Sequence, residues 1–174
     1  MNFEFITRQT QLDSLLARMR SAEWIAFDTE FVSEFTYHPE LCLVQVAIGG
    51  EYWVIDPLEL SSMTAFWGQL CDGDQQTIVH AGREEFLFSH RAVERVPRHW
   101  FDTQIAAGMV GLEYPASYSK LIQRLLDERL GKGETRTDWR RRPLSSSQLE
   151  YALDDVVYLK PLYDELMKRL KAQG

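Results

Sequence analysis

Cysteine is scarce in this sequence: only Cys42 and Cys71 occur, far apart and outside any CxxC pattern. Neither a disulfide framework nor a cysteine zinc site is expected from them. The histidines His38, His80, His90 and His99 show no metal-ligand spacing either. No run of about 18 apolar residues is present, and Met1–Thr10 lacks the basic-then-apolar pattern of a signal peptide. The expectation is a soluble, cytoplasmic protein with no membrane contact. Glycine motifs for nucleotides are missing too, since Gly131-Lys132-Gly133 lacks the P-loop framework. No GxSxG or paired Cys/His pattern points to serine or cysteine hydrolysis. Positive charge is in deficit: the net charge of −7 argues against simple electrostatic capture of nucleic acid. A site that holds cations must itself be acidic, however, so the deficit does not exclude a metal enzyme.

What is present suits one compact domain. The chain has 174 residues, 45% apolar and 12% aromatic, enough for an ordinary core without staples. No repeat, low-complexity tract or Gly/Ser/Pro linker divides it. A short strand is expected at Phe3–Ile6, then a helix at Gln11–Arg20 with Leu12, Leu15, Leu16 and Met19 at helical spacing and Thr10 as N-cap. Strands follow at Trp24–Phe31, Leu41–Ile48 and Tyr52–Ile55, the last two joined by a Gly49-Gly50 hairpin. A helix near Met63–Leu70 and a strand at Thr77–His80 come next. Helices at Arg83–Val93, Thr103–Val110, Ser117–Leu130 and Ser146–Leu170 complete the chain. This order suggests an α/β fold, a mixed β-sheet flanked by α-helices. A ribonuclease H-like arrangement fits it, and pattern alone allows other α/β folds.

Asp28 and Glu30 interrupt the apolar run Trp24-Ile25-Ala26-Phe27-Asp28-Thr29-Glu30-Phe31. Strand side chains alternate, so residues two apart project from one face. Two carboxylates placed there repel and lose water unless a cation sits between them. Magnesium takes such hard oxygen ligands. Chance also produces acidic pairs in a chain with 26 acidic residues, and Asp72 and Asp74 form one around Gly73. That pair lies in a loop where water solvates both, and context separates the two cases.

In the last predicted helix, Leu149, Ala152, Val156, Leu159 and Tyr163 define a buried stripe. Asp155 falls at the edge of this stripe, and Asp154 points nearly opposite, toward solvent. Tyr151 precedes Asp155 by one turn and shares its face, so a phenol stands beside a carboxylate. A boundary pair with a surface hydrogen bond is the plainer account of that spacing. Glu84 and Glu85 open the helix after Thr77–His80, where the helix dipole alone favours acidic residues. His80 reads as a satisfied strand-end histidine and Asp102 as the N-cap of the next helix.

Taken together, the segments resemble ribonuclease D and the wider DEDD exonuclease superfamily. The resemblance rests first on Phe27-Asp28-Thr29-Glu30-Phe31, followed by Tyr37-His38-Pro39-Glu40-Leu41 and Leu43-Val44-Gln45. It continues through Val79-His80-Ala81-Gly82-Arg83-Glu84-Glu85. It ends with Arg136–Leu144 and Gln148-Leu149-Glu150-Tyr151-Ala152-Leu153-Asp154-Asp155-Val156. The Tyr151-x-x-x-Asp155 spacing is that of the tyrosine subclass. Coverage runs from about Phe3 to Leu170. The resemblance implies a 3′→5′ exoribonuclease acting on single-stranded RNA 3′ ends, or on DNA, with two Mg2+ or Mn2+ ions. It implies Asp28, Glu30, Glu85 and Asp155 as metal ligands and Tyr151 as the residue that orients the attacking water.

Two departures stand out. The family pattern has Asp where this chain has Glu85, which keeps the charge and adds a methylene. Ribonuclease D also continues into helical domains, so residues 1–174 correspond to the catalytic domain without a C-terminal helical RNA-binding domain. Between Lys132 and Arg142 five basic residues oppose two acidic ones. With Trp139 interleaved, Arg136, Trp139 and Arg140 are candidate substrate contacts, and a solvated surface loop is the equal alternative. A DNA exonuclease and a catalytically inactive nucleic-acid-binding module are the competing functions. Protein partners cannot be read from the sequence.

Overall fold

Residues 2–34, 38–131 and 137–173 are described by the computed structural model. The short strand β1 (Glu4–Ile6) leads into helix α1 (Gln9–Arg20), which buries Leu12, Leu15, Leu16 and Met19 as their spacing requires. Its start differs from expectation. Arg8 is the N-cap, its backbone N–H donating to the Gln11 side chain at 3.1 Å, and Thr10 lies inside the first turn.

Three antiparallel strands follow: β2 (Trp24–Val32), β3 (Glu40–Ile48) and β4 (Glu51–Ile55). The turn between the last two places Gly49 and Gly50 at φ 59° and 85°, both in the left-handed region that glycine enters without strain. After α2 (Thr64–Asp72) come β5 (Gln76–Val79), α3 (Arg83–Val93), β6 (Trp100–Asp102) and α4 (Thr103–Met109). The chain continues through α5 (Tyr118–Leu126), α6 (Ser146–Val157) and α7 (Leu159–Ala172). Helix α5 stops short of Leu130 because Asp127 takes a left-handed conformation, φ 57°, at its end. No helix among the described residues is long and apolar enough to cross a membrane.

The expected single helix over Ser146–Leu170 is two helices. Tyr158 breaks it, and Pro161 supplies the reason: it has no N–H to offer Val157, and its ring crowds that carbonyl. Tyr118 bridges the break. Its hydroxyl donates to the Asp154 carbonyl at 3.4 Å and accepts from the Tyr158 backbone N–H at 3.2 Å.

Among the described residues the sheet has six strands in the order β1-β4-β3-β2-β5-β6, with the outer pairings parallel, which is the mixed ribonuclease H-like sheet flanked by helices. Alternation divides β2 between two cores. Ile25 and Phe27 pack with Leu15, Phe66, Trp67 and Phe88 from α1, α2 and α3. Ala26, on the other face, packs with Ala47, Val156 and Leu159 beneath α6 and α7. Asp28 and Glu30 share that second face, at the end of the strand where apolar packing gives out. There the pairing slips: Glu30 lies opposite Leu43 and Phe31 opposite Leu41, leaving Cys42 as the extra residue of a bulge. Both cysteines are buried and free.

Candidate active site

Three elements converge on one acidic cluster. Strand β2 presents Asp28 and Glu30, α3 brings Glu85, and α6 crosses the same sheet face with Tyr151 and Asp155. The five residues that the resemblance implies as the site thus lie near one another, close enough for the carboxylates to feel each other's charge.

Their titration behaviour reflects the crowding. Burial, then the charges of Glu85, Asp155 and Glu30, hold the Asp28 carboxyl well above its ordinary range. Glu30 is pushed up to about 8 by burial and then by Asp155 and Glu85. Burial and Asp154 raise Asp155 to about 7, while a hydrogen bond from the Tyr151 hydroxyl pulls it the other way. Tyr151 itself is raised, first by burial and then by Asp155, Glu30 and Asp28. A phenol in this setting keeps its proton at neutral pH. It donates that proton to Asp155, and its remaining lone pair can accept from a water.

Glu85 occupies the departure position and is only 5% exposed. Its Oε1 accepts from the Thr29 hydroxyl at 2.5 Å. Burial raises its carboxyl above the ordinary range, and the Thr29 hydrogen bond opposes the shift. Glu84, by contrast, pairs with Arg83 at the surface. The start of α3 is fixed by Asp102, whose carboxylate accepts from the backbone N–H groups of Ala81 and Gly82 at 3.0 and 2.9 Å. The same carboxylate caps α4 through Gln104 N–H at 2.8 Å, the role expected of it. Gly82 cannot carry a side chain here, because a Cβ would lie 2.5 Å from Val79 Cγ2. His80 Nδ1 sits 2.9 Å from Thr103 Oγ1, consistent with a structural histidine.

Hard carboxylate oxygens, partly desolvated and repelling one another, are the donor set that Mg2+ or Mn2+ takes. Among the described residues, no three His, Cys, Asp or Glu side chains already converge as ligands, so ions would have to draw these four together.

The expected substrate contacts fare differently. Arg136, with residues 132–135 of the same loop, lies outside the described residues. Trp139, another candidate substrate contact, is 5% exposed and packs with Leu43, Val54, Ala152 and Leu153, which leaves little of its ring for a base to meet. Its ring lies 6.2 Å from that of Tyr151, so it backs the site from beneath. Arg140 is exposed and pairs with Asp138 at 2.8 Å. Arg142 turns inward instead, binding Asp56 and the carbonyls of Cys42 and Trp139. Asp154 is half-buried rather than fully solvated. Sequence reasoning missed Thr29, Asp102 as a clamp on α3, and Tyr118. Only Asp102 carried a signal, its capping position.

A 3′–5′ exonuclease profile matches residues 3–171. Ribonuclease D of Xanthomonas oryzae is 46% identical over 170 residues, covering 98% of this chain and 47% of that protein. The crystal structure of Escherichia coli RNase D, an exoribonuclease involved in structured RNA processing, superimposes with a TM-score of 0.93 at 36% identity. It covers 100% of this chain and 46% of that one. Brucella melitensis NrnC with bound Mg2+ has a TM-score of 0.82 at 28% identity, covering 100% of this chain and 84% of that one. The chain thus spans less than half the length of the ribonuclease D proteins it matches. A profile running over nearly the whole chain, on this sheet and with these carboxylates, places it in a family: the chain belongs to the 3′–5′ exonucleases.

Proposed function

We propose that residues 3–171 form the catalytic domain of a metal-dependent 3′→5′ exoribonuclease that removes nucleotides from single-stranded RNA ends, as in the processing of tRNA and other RNA 3′ ends. The observation that carries this reading is the convergence of Asp28, Glu30 and Asp155 on one sheet face with Tyr151 hydrogen-bonded to Asp155. The likeness to ribonuclease D supports RNA as substrate, and the Mg2+ held by NrnC supports a divalent ion.

Asp28, Glu30, Glu85 and Asp155 would hold the metal, two ions in all. Bound divalent ions supply Lewis acidity toward the phosphate and the leaving 3′ oxygen, and lower the pKa of an attacking water. The chain's own residues do the rest. Tyr151 donates to Asp155 and accepts from the water, so it aims that water without acting as a base. Trp139 fixes the Tyr151 ring from below. Glu85 adds negative charge on the α3 side, held by Thr29. Arg140, exposed beside Asp138, would meet a backbone phosphate.

The test is degradation of a 5′-labelled single-stranded RNA and of its DNA counterpart, with Mg2+, Mn2+ or EDTA, and with Asp28→Ala as control. A ladder shortening from the 3′ end, lost with EDTA and in the variant, is the expected result. Faster loss of the DNA would reassign the substrate. No shortening with either metal would refute the activity for this chain.

A further inference from the structure

Gln45 is fully buried, at 0% exposure, and neither its Oε1 nor its Nε2 has a hydrogen-bond partner. A buried amide left unpaired costs about 1–3 kcal/mol, and each such group calls for a reason. Packing does not supply one. Along the same face of β3, Leu43 meets Ala152 and Leu153 on one side of Gln45, and Ala47 meets Val156 on the other. Its neighbour on β4 is Val54. A leucine or methionine would fill this slot beneath α6 without the polar cost.

The register shows what the amide faces. Gln45 stands directly opposite Asp28 in the β2–β3 pair, so both side chains leave the same face of the sheet. Cβ atoms of such partners are roughly 4.5–5.5 Å apart, within reach of a glutamine amide. An ionised Asp28 has only acceptors, and the backbone N–H of Thr29 donates to it. A second donor at its flank would leave its outward lone pairs for a cation and hold its rotamer.

We propose that Gln45 is a positioning residue for Asp28, its Nε2 donating to the Asp28 carboxylate in the metal-loaded site. This rests on the reading of Asp28 as a metal ligand. Outer hydrogen-bond partners of metal ligands typically govern affinity by about 10–100-fold. They act through the ligand they orient.

The experiment is titration of the protein with Mn2+ alone, followed by calorimetry and by the paramagnetic resonance of free ion, in wild type, Asp28→Ala and Gln45→Met. Thermal unfolding of each chelated protein is measured alongside. Gln45→Met is expected to unfold at the wild-type temperature or higher, because an unpaired amide is removed, yet to bind Mn2+ at least tenfold more weakly. Unchanged Mn2+ affinity in Gln45→Met, with wild type binding through Asp28, overturns the role of Gln45 alone. Absence of Asp28-dependent Mn2+ binding in wild type overturns the metal reading and this one with it. Should Gln45→Met not fold, Gln45→Asn keeps an amide with shorter reach. Weakened Mn2+ binding is expected there too, and wild-type affinity overturns the proposal.

Discussion

The Thr29 hydroxyl donates to Glu85 Oε1 at 2.5 Å, although the two residues lie 56 apart in the chain. Thr29 points to the opposite face of β2 from Asp28 and Glu30. A glutamate on α3 is therefore anchored from behind the strand that carries the other two carboxylates.

Glu85→Ala should lower turnover at least tenfold, and Glu84→Ala, whose side chain only pairs with Arg83, should not. Thr29→Val should cost about 1–3 kcal/mol in urea unfolding, because it strands a buried carboxyl without its donor. Steady-state hydrolysis of a labelled oligoribonucleotide checks the first pair. Wild-type turnover of Glu85→Ala would remove that residue from the site.

The acidic cluster also sets how stability depends on pH. Glu30 at about 8 and Asp155 at about 7 are both raised in the folded chain, whereas unfolded carboxyls titrate near 4. Between those limits the native state binds more protons than the unfolded one, so stability falls as pH rises. The contribution is fully present below about pH 4 and is lost as pH climbs through about 7–8. Chelated protein should accordingly melt at a lower temperature at pH 8 than at pH 5. Each kcal/mol lost lowers the midpoint by about 2–4 °C at this chain length. Added Mg2+ or Mn2+ should raise the midpoint more at pH 8, where protons no longer compete for the oxygens. Calorimetric scans with and without EDTA give the answer directly. An increment that is equal at both pH values would count against the cluster as the binding site.

Arg140 and Arg142 are two residues apart and should behave oppositely. Asp56 is 1% exposed and ion-paired to Arg142. Removing that partner by Arg142→Ala leaves a buried carboxylate with only the Leu58 N–H and should destabilise by about 3 kcal/mol or more. Arg140→Ala should leave the melting temperature within about 1 °C of wild type, as is usual for an exposed ion pair. It should raise KM for RNA two- to fivefold, most visibly at low salt. Denaturation curves and salt-dependent kinetics distinguish the two.

Tyr118 spans the break between α6 and α7 and so holds the helix that carries Tyr151 and Asp155. Tyr118→Phe keeps the ring beside His80, 5.3 Å between centroids, and removes only the hydroxyl. The loss should be about 1 kcal/mol in stability. Turnover should fall severalfold with KM little changed, since the substrate rim is untouched. An unaltered turnover would mean that packing alone positions α6.

Much of this protein is legible in its sequence, because the relevant signals are local. Alternation along Trp24–Val32 is enough to put Asp28 and Glu30 on one face, and the four-residue spacing of Tyr151 and Asp155 is enough to align them. Gly49-Gly50 marks its own turn. Even the end of α6 was written locally, in Pro161, though the apolar stripe running through Leu159 and Tyr163 masked it. The rest was decided only when distant segments met. Whether Trp139 is a surface platform or a core residue depends on α6 and β4 closing over it, which no pattern in its own loop records. Arg142 becomes structural because Asp56, 86 positions away, lies buried beneath it. Gln45 faces Asp28 only through strand register, and a shift of one residue would send it to the opposite core. Periodicity determines which face a side chain takes. The identity of what waits on that face is set by the tertiary fold.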